Sequence, residues 1–394
     1  MERVMLSDGN GGAENAELIK VFLRHFENAF GAEDAGIFGE SSGFGGESSV
    51  DSSANLANFS ANLAINLTNQ SANLGSNHSN QSANLGSNHS NQSVNLGNFG
   101  AKKYATSIDS FTITPIFFAG GDIGKLSVCG SANDVAMMGA KPKFLSASFI
   151  IEEGFKVADL EKIAKSMGAE MRKNGISLIS ADTKVIDRRG VSVDSGIFIT
   201  TSIIGEVVRE GISARNLQDS DCIIISGNIG THGACIYCER EGIDLEHNLQ
   251  SDCAVLWGLV ELLIKNNVEI HAIRDATRGG IASLLNEWAV SSKCAIKINE
   301  CAIPISDEVR GVCEILGIDA YSLANEGVCA FALPQDFAPR ALELLKSHEL
   351  GKNASIIGRV AKSNADLGKV ILKSNLGVRR YVEYPQGEIL PRIC

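Results

Sequence analysis

The chain ends Pro391-Arg392-Ile393-Cys394, and a thiol at that position sits on a tether that can enter and leave a cleft. The thiolate is the nucleophile, and a free thiol has a pKa of about 8.5. An adjacent α-carboxylate raises that value and Arg392 lowers it. Pro391 stiffens the approach by fixing φ, and Gly387 gives it a swivel. If extended, the stretch from Tyr381 to Cys394 reaches on the order of 40 Å. Many terminal cysteines are incidental, and a hydrophobic tail of this kind also fits strand addition to a partner. A prenylation box is excluded, because it needs its cysteine fourth from the end.

A second set of chemically capable residues is acidic. Asp34, Asp109, Asp134 and Asp182 each stand at an expected element end, in an expected strand or beside glycines. Together they resemble the hard oxygen ligands that hold Mg²⁺ on a nucleotide's phosphates. Lys125 and Lys184 suit phosphate oxygens as point charges. Gly279-Gly280 opens an expected helix, whose unpaired N–H groups and positive dipole end form an anion site. No Walker A loop and no Rossmann fingerprint occurs. Scattered aspartates are also common on solvated surfaces. The residues alone therefore leave two readings open, a polar surface or an ATP and Mg²⁺ enzyme of an unfamiliar type. Cys235-x-x-Cys238, with His232 ahead of it, has metal-like spacing, but no second pair follows at zinc-finger distance.

These groups need a scaffold, and the chain is long enough for one. Its 394 residues suit two or three domains. A net charge of −11 argues against a nucleic-acid or anionic-membrane partner. No signal segment or membrane-length apolar run is present. Ten irregularly spaced cysteines fit reduced thiols in a cytoplasmic protein. Near the N-terminus, Leu18, Phe22, Phe26 and Phe30 predict a helix. Strands are expected over 104–113, 144–151, 176–180 and 196–204, with Asp182-Thr183-Lys184 directly after the third. Helices are expected from Leu126 to Met137 and across Leu160, Ile163, Ala164, Met167 and Met171, the latter stopped by Gly175. A second unit starts near Gly205, with strands at 222–226, 270–273 and 328–333. Its helices are expected after Gly233 and over 252–265, 281–290 and 337–346, with another capped by Ser306 and ending at Gly317. Helices and strands mix without strict alternation, which predicts two α+β domains.

Residues 41–100 differ in kind. Asn, Ser, Gly and Ala dominate, and an eleven-residue unit repeats at 69–79 and 80–90 before decaying from Asn91. One leucine per unit (Leu74, Leu85, Leu96) is too thin a seam for a coiled coil. The segment reads as a disordered insertion, because it buries too little to offset its ordering entropy.

Several motifs in order then carry a family resemblance. They are Gly120-Gly121-Asp122-Ile123-Gly124-Lys125, Val128-Cys129-Gly130 with Asn133-Asp134, and Asp182-Thr183-Lys184-Val185. Arg274-Asp275 with Thr277-Arg278-Gly279-Gly280, then Ala324-Asn325-Glu326-Gly327, then the closing Pro-Arg-Ile-Cys complete the series. The series resembles the HypE family of hydrogenase maturation factors, in the aminoimidazole ribonucleotide synthetase-like (PurM-like) superfamily.

The resemblance implies an N-terminal barrel-forming domain at a homodimer interface (1–204), a C-terminal α+β domain (205–370) and a mobile tail (371–394). It implies ATP and Mg²⁺ in the cleft and an ATP-dependent dehydration of an S-carbamoyl group on Cys394 to a thiocyanate. A HypF-type carbamoyltransferase loads the thiol, and a HypC–HypD complex accepts the nitrile for hydrogenase iron. Lys184 and Glu326 take the orienting and base roles beside Cys394. Asp34, Asp109, Asp134 and Asp182 become metal and nucleotide residues. Gly120, Gly121, Asp122, Lys125, Asn133, Arg278, Gly279 and Gly280 become nucleotide residues. Asp8 and Asn10 depart from the family's opening loop, and Ala181 and Ala276 stand where it has glycine and proline. The alternatives are another ATP enzyme of the superfamily, such as a selenophosphate synthetase, or a scaffold that only presents the tail.

Overall fold

A helix buried on nearly every side organises the fold. In the computed structural model, α1 (Ile123–Met137) buries Ile123, Leu126, Val128, Cys129, Ala132 and Val135 completely, together with Ser127, Ser131 and Asn133, so it runs through the interior and its polar groups need partners there. Asp122 caps it, its Oδ1 accepting from the Gly124 and Lys125 N–H groups at 2.8 and 3.0 Å. The structure describes residues 3–4, 24–25, 94–99, 102–187, 196–243, 249–362 and 366–385, with backbone only over 94–99. The expected N-terminal helix, Asp8, Asn10, Asp34, residues 41–93 and Cys394 lie outside that set.

The first sheet has five strands, β1 (Val94–Phe99), β2 (Lys102–Phe111), β5 (Ala140–Glu152), β6 (Ser177–Ile186) and β7 (Ile197–Val207). Their order is β1-β2-β7-β5-β6. A short hairpin, β3 (Phe117–Phe118) and β4 (Gly121–Asp122), leads into α1. α1 packs on β2, β5 and β7, and α2 (Val157–Asn174) packs beside it. The apolar stripe of α2 buries Leu160, Ile163, Ala164, Met167 and Met171, and full burial of each large side chain contributes about 1.5–3 kcal/mol. Gly175, left-handed at φ 65°, ends α2 as expected. The other sheet face carries Ile108, 65% exposed, with Ile150 and Ile186 also exposed.

The second sheet has seven strands: β8 (Cys222–Ile225), β9 (Ala272–Asp275), β10 (Ala295–Asn299), β11 (Cys329–Leu333), β12 (Ser355–Ala361), β13 (Val370–Lys373) and β14 (Arg379–Tyr381). Their order is β14-β13-β10-β12-β8-β11-β9. Its helices are α3 (Thr231–Glu241), α4 (Trp257–Lys265), α5 (Gly280–Ser291), α6 (Asp307–Leu316) and α7 (Ala338–Ser347). α1 also meets β9 and α4, so one buried helix touches both sheets' layers. The architecture is the mixed α+β type that the element pattern predicts.

Three elements differ from expectation. β1 lies inside the segment read as disordered, because Val94 to Leu96 pair antiparallel with Tyr104 to Thr106. Asp182-Thr183-Lys184 lies within β6 rather than after it, because the parallel ladder with β5 continues to Ile186. α4 begins at Trp257 rather than Asp252, because the intervening N–H groups bond elsewhere. Ser251 donates to Ala119 O at 2.8 Å, Ala254 to Glu326 O at 3.2 Å, and Leu256 to Asn133 Oδ1 at 2.8 Å.

Candidate active site at a buried acidic cluster

Five carboxylates from distant parts of the chain meet where α1 faces the second sheet. Asp109 comes from β2, Asp134 from α1, Asp252 from the segment before α4, Asp275 from the end of β9, and Glu326 from the loop before β11. The Ser107 hydroxyl, two positions before Asp109 on the same strand face, donates to Asp134 Oδ2 at 2.5 Å. Crowding in a desolvated place favours the neutral acid. Burial, then the neighbouring Asp275 charge, raises the Asp134 pKa to about 7. Burial raises Asp275 to about 6, opposed by Arg274. Burial raises Asp252 to about 6, opposed by the N–H groups of Glu326 and Gly327. Burial pushes Glu326 well above its ordinary value, reinforced by Cys253, Asp275, Asp252 and Asp109. Asp109 is raised by burial and held back by the Ser110 N–H and the Arg278 charge.

Glu326 is positioned through its backbone. Its N–H donates to Asp252 Oδ1 at 3.1 Å, and its carbonyl accepts from the Ala254 N–H at 3.2 Å and from Asn133 Nδ2 at 3.4 Å. The Asn133 amide also donates to Ala254 O and accepts from Leu256 N. Asn133 is thus a strut between α1 and the Asp252 loop, its amide occupied within the chain rather than offered to a nucleotide. The loop is held tightly enough that a Cβ on Gly327 would stand 1.8 Å from Asp252 O. Asn325 ties the next corner, accepting from Gly230 N at 2.6 Å and donating to Ala276 O at 2.9 Å.

The remaining expected residues divide. Asp122 serves as the helix cap, with the Ser166 hydroxyl also donating to Oδ1 at 2.5 Å. Lys125 Nζ donates to Gly120 O at 2.9 Å and its charge is felt by Asp252. Gly120 and Gly121 form the turn before the cap, with Gly120 pressed on the Ser251 backbone. Gly279 and Gly280 start α5, and a Cβ on Gly280 would stand 2.4 Å from Leu323 O. Asp182 and Lys184 lie elsewhere. The register Asp182–Ser148–Thr200–Ser110 crosses the sheet, so both project from the face opposite to Asp109. Sequence reasoning missed Asp252, which it placed inside a helix, and assigned no role to Asp275 although it adjoins the Arg278-Gly279-Gly280 motif. His232 bonds the Ser251 hydroxyl at 2.7 Å, and Cys235 bonds Ala119 O. Among the described residues no three His, Cys, Asp or Glu side chains are gathered to hold a metal.

The C-terminal segment is led to this site. Val382 O accepts from Asn286 Nδ2 at 2.9 Å on α5, and the Tyr384 hydroxyl donates to Glu287 at 3.1 Å. Pro385 then comes against Gly279, where a Cβ would stand 3.5 Å from its Cγ. The last described residue therefore sits at the start of α5, one position from Arg278, whose charge is felt by Asp109 and Asp275.

Comparison with known proteins agrees with this architecture. Residues 94–207 match the N-terminal domain, and 218–370 the C-terminal domain, of the AIR synthase related proteins. Carbamoyl dehydratase HypE of Escherichia coli is 42% identical over 74% of this chain and 85% of its own length. The structure of a hydrogenase maturation protein HypE in complex with ATP covers 99% of both chains at 34% identity and a TM-score of 0.77. A HypE from a HypE–HypF complex matches 74% of this chain and 93% of its own at 44% identity and a TM-score of 0.69. With two domain models matched in order and the Escherichia coli enzyme alike over most of both lengths, the chain belongs to the HypE family of hydrogenase maturation proteins.

Proposed function

We propose that this protein dehydrates an S-carbamoyl group carried on Cys394 to a thiocyanate, using ATP and Mg²⁺, to supply cyanide ligands for hydrogenase iron. The observation that carries the reading is the seat of Pro385 on Gly279, beside the acidic cluster. Residues 386–394 remain beyond it, and an extended run of that length spans about 30 Å, ample to bring the thiol to Glu326.

The donor chemistry fits the cofactors. Asp109, Asp134 and Asp275 are crowded hard oxygen donors that a divalent cation relieves of mutual repulsion. Mg²⁺ on a nucleotide takes one or two protein carboxylates and otherwise phosphates and water, so a closed protein cage is not required. Arg278, Lys125 and the start of α5 supply positive charge for phosphates. ATP supplies the phosphoryl group that turns an amide oxygen into a leaving group. Glu326 takes a proton from the carbamoyl nitrogen. Burial gives it high proton affinity, and it accepts once the charge on its carboxylate neighbours is compensated. The loading partner is a HypF-type carbamoyltransferase and the acceptor a HypC–HypD complex. The exposed Ile108 and Ile150 face of the first sheet is the homodimer surface. The domain boundary lies near residue 205, the tail begins after β14 rather than near the expected residue 371, because β13 and β14 pair into the second sheet, and no helix among the described residues is long and apolar enough to cross a membrane.

The test is to weigh the C-terminal peptide after incubation with the loading partner, carbamoyl phosphate and ATP. A carbamoyl gain followed by loss of water is expected in the natural sequence and neither change in Cys394→Ser. The same two changes in Cys394→Ser overturn the reading.

A further inference from the structure

The solvent face of the second sheet holds two pairs of cations that a stability-optimised sheet would avoid. Lys297 on β10 stands directly opposite Arg359 on β12, and Lys373 on β13 directly opposite Arg379 on β14. Like charges directly opposed across antiparallel strands are destabilising. All four residues are exposed, and all line one cavity of about 620 Å³ that also includes Tyr381 and Asp366. This concentration of positive charge occurs in a chain of net charge −11. Arg359 has a hydrogen bond to Gln335. Among the described residues Lys297, Lys373 and Arg379 have no ion-pair partner, and Asp366 accepts the Tyr381 hydroxyl at 2.8 Å.

We infer that this basic groove, remote in the fold from the acidic cluster, docks an extended acidic segment of a protein partner. Strand geometry matches such a segment. Ile371 pairs with Lys297, and Lys373 follows two positions later, so the two cation pairs are offset by about 6.6–6.8 Å along the strands and, across the β14-β13-β10-β12 order, by two inter-strand spacings of about 4.8 Å each, roughly 12 Å on the diagonal. An extended peptide crossing the strands diagonally meets both pairs with same-face carboxylates four residues apart, a spacing of about 13 Å. β14 ends the sheet order, so its outer edge has no strand partner among the described residues and is open to strand addition. The β13–β14 turn adds exposed Leu376 and Val378, 91% and 63% exposed, as an apolar anchor beside the groove.

A nucleotide or nucleic acid fits less well. The Tyr381 ring already carries the Lys369 ammonium 5.8 Å from its centroid, and its hydroxyl is engaged, so it offers no free platform for a base. β14 continues directly into the segment that seats Pro385 on Gly279, so a partner held here grips the root of the C-terminal tail. The inference does not depend on the chemistry proposed for Cys394.

The probe is a short fluorescein-labelled peptide alternating Glu and Val, titrated by anisotropy onto the full chain, beside a Gln–Val control. The Glu peptide binds, weakening as salt rises, and the Gln peptide does not. Lys297→Glu with Lys373→Glu lowers affinity about tenfold or more, raises Tm by removing the like-charge pairs, and leaves ATP turnover unchanged. Equal affinity of natural and doubly substituted protein, or of the two peptides, overturns the inference. So does a lowered Tm in the double variant. Displacement of the peptide by an equal concentration of pyrophosphate assigns the groove to a small polyphosphate and overturns the peptide reading.

Discussion

The carboxylate of Asp252 holds the backbone of Glu326, with Glu326 N donating to Oδ1 at 3.1 Å. Two buried acids that repel as charges are thus tied through one peptide N–H, so the position of one depends on the other. Asp252→Ala removes the acceptor and leaves the Glu326 loop free to shift. A displacement of about 1 Å at a reacting group costs on the order of 10²-fold in rate. The expected outcome is that loss in kcat, with ATP affinity little changed and the alkaline limb of the pH–rate profile moved. An unaltered kcat contradicts this positioning role.

Asp134→Asn and Glu326→Gln separate two functions. The first removes an oxygen donor beside Asp109 and Asp275, so isothermal titration should show weaker binding of Mg²⁺-ATP. The second keeps size and backbone bonds but removes the proton acceptor, so nucleotide binds and dehydration stalls. Equal loss of nucleotide affinity in both variants contradicts the division.

Stability of the unliganded protein should fall as pH rises from about 4 to about 7. Asp252 and Asp275 are raised from 3.8 to about 6, and Asp134 to about 7. Within that window the folded chain retains protons that the unfolded chain releases, so rising pH favours unfolding. Below the unfolded pKa both states are protonated and the full stability is present. Asp252 alone accounts for about 3 kcal/mol across the window. Urea midpoints measured through it should decline, and saturating Mg²⁺ with ATP should flatten the decline. A rising midpoint contradicts the raised values.

The pairing of β1 with β2 sets a limit on shortening the chain. Deleting residues 41–93 should preserve ATP-dependent activity and dimerisation. Deleting 41–100 removes β1, exposes the edge of β2 and should lower Tm clearly. Equal Tm in the two deletions shows that β1 contributes nothing to the sheet.

Much of the local structure can be read from adjacent residues. Ser306 and Gly317 bracket α6, and the spacing of Leu160 to Met171 gives the buried stripe of α2. Caps and periodicity act over a few residues, and that information is contiguous in the chain. The ordered series of motifs from Gly120 to Glu326 identifies the family for the same reason. Only tertiary structure decides which acids share a site. Asp252 joins Glu326 because the 251–256 backbone spends its N–H groups on Ala119, Asn133 and Glu326 instead of on a helix. Asp182 and Lys184 leave the cluster because a long-range parallel ladder with β5 extends β6 through them. Asn133 becomes a strut because Ala254 O, Glu326 O and Leu256 N, all distant in the chain, reach its amide. The raised carboxyl values follow from burial, which depends on how α1 packs against both sheets and which no stretch of sequence contains.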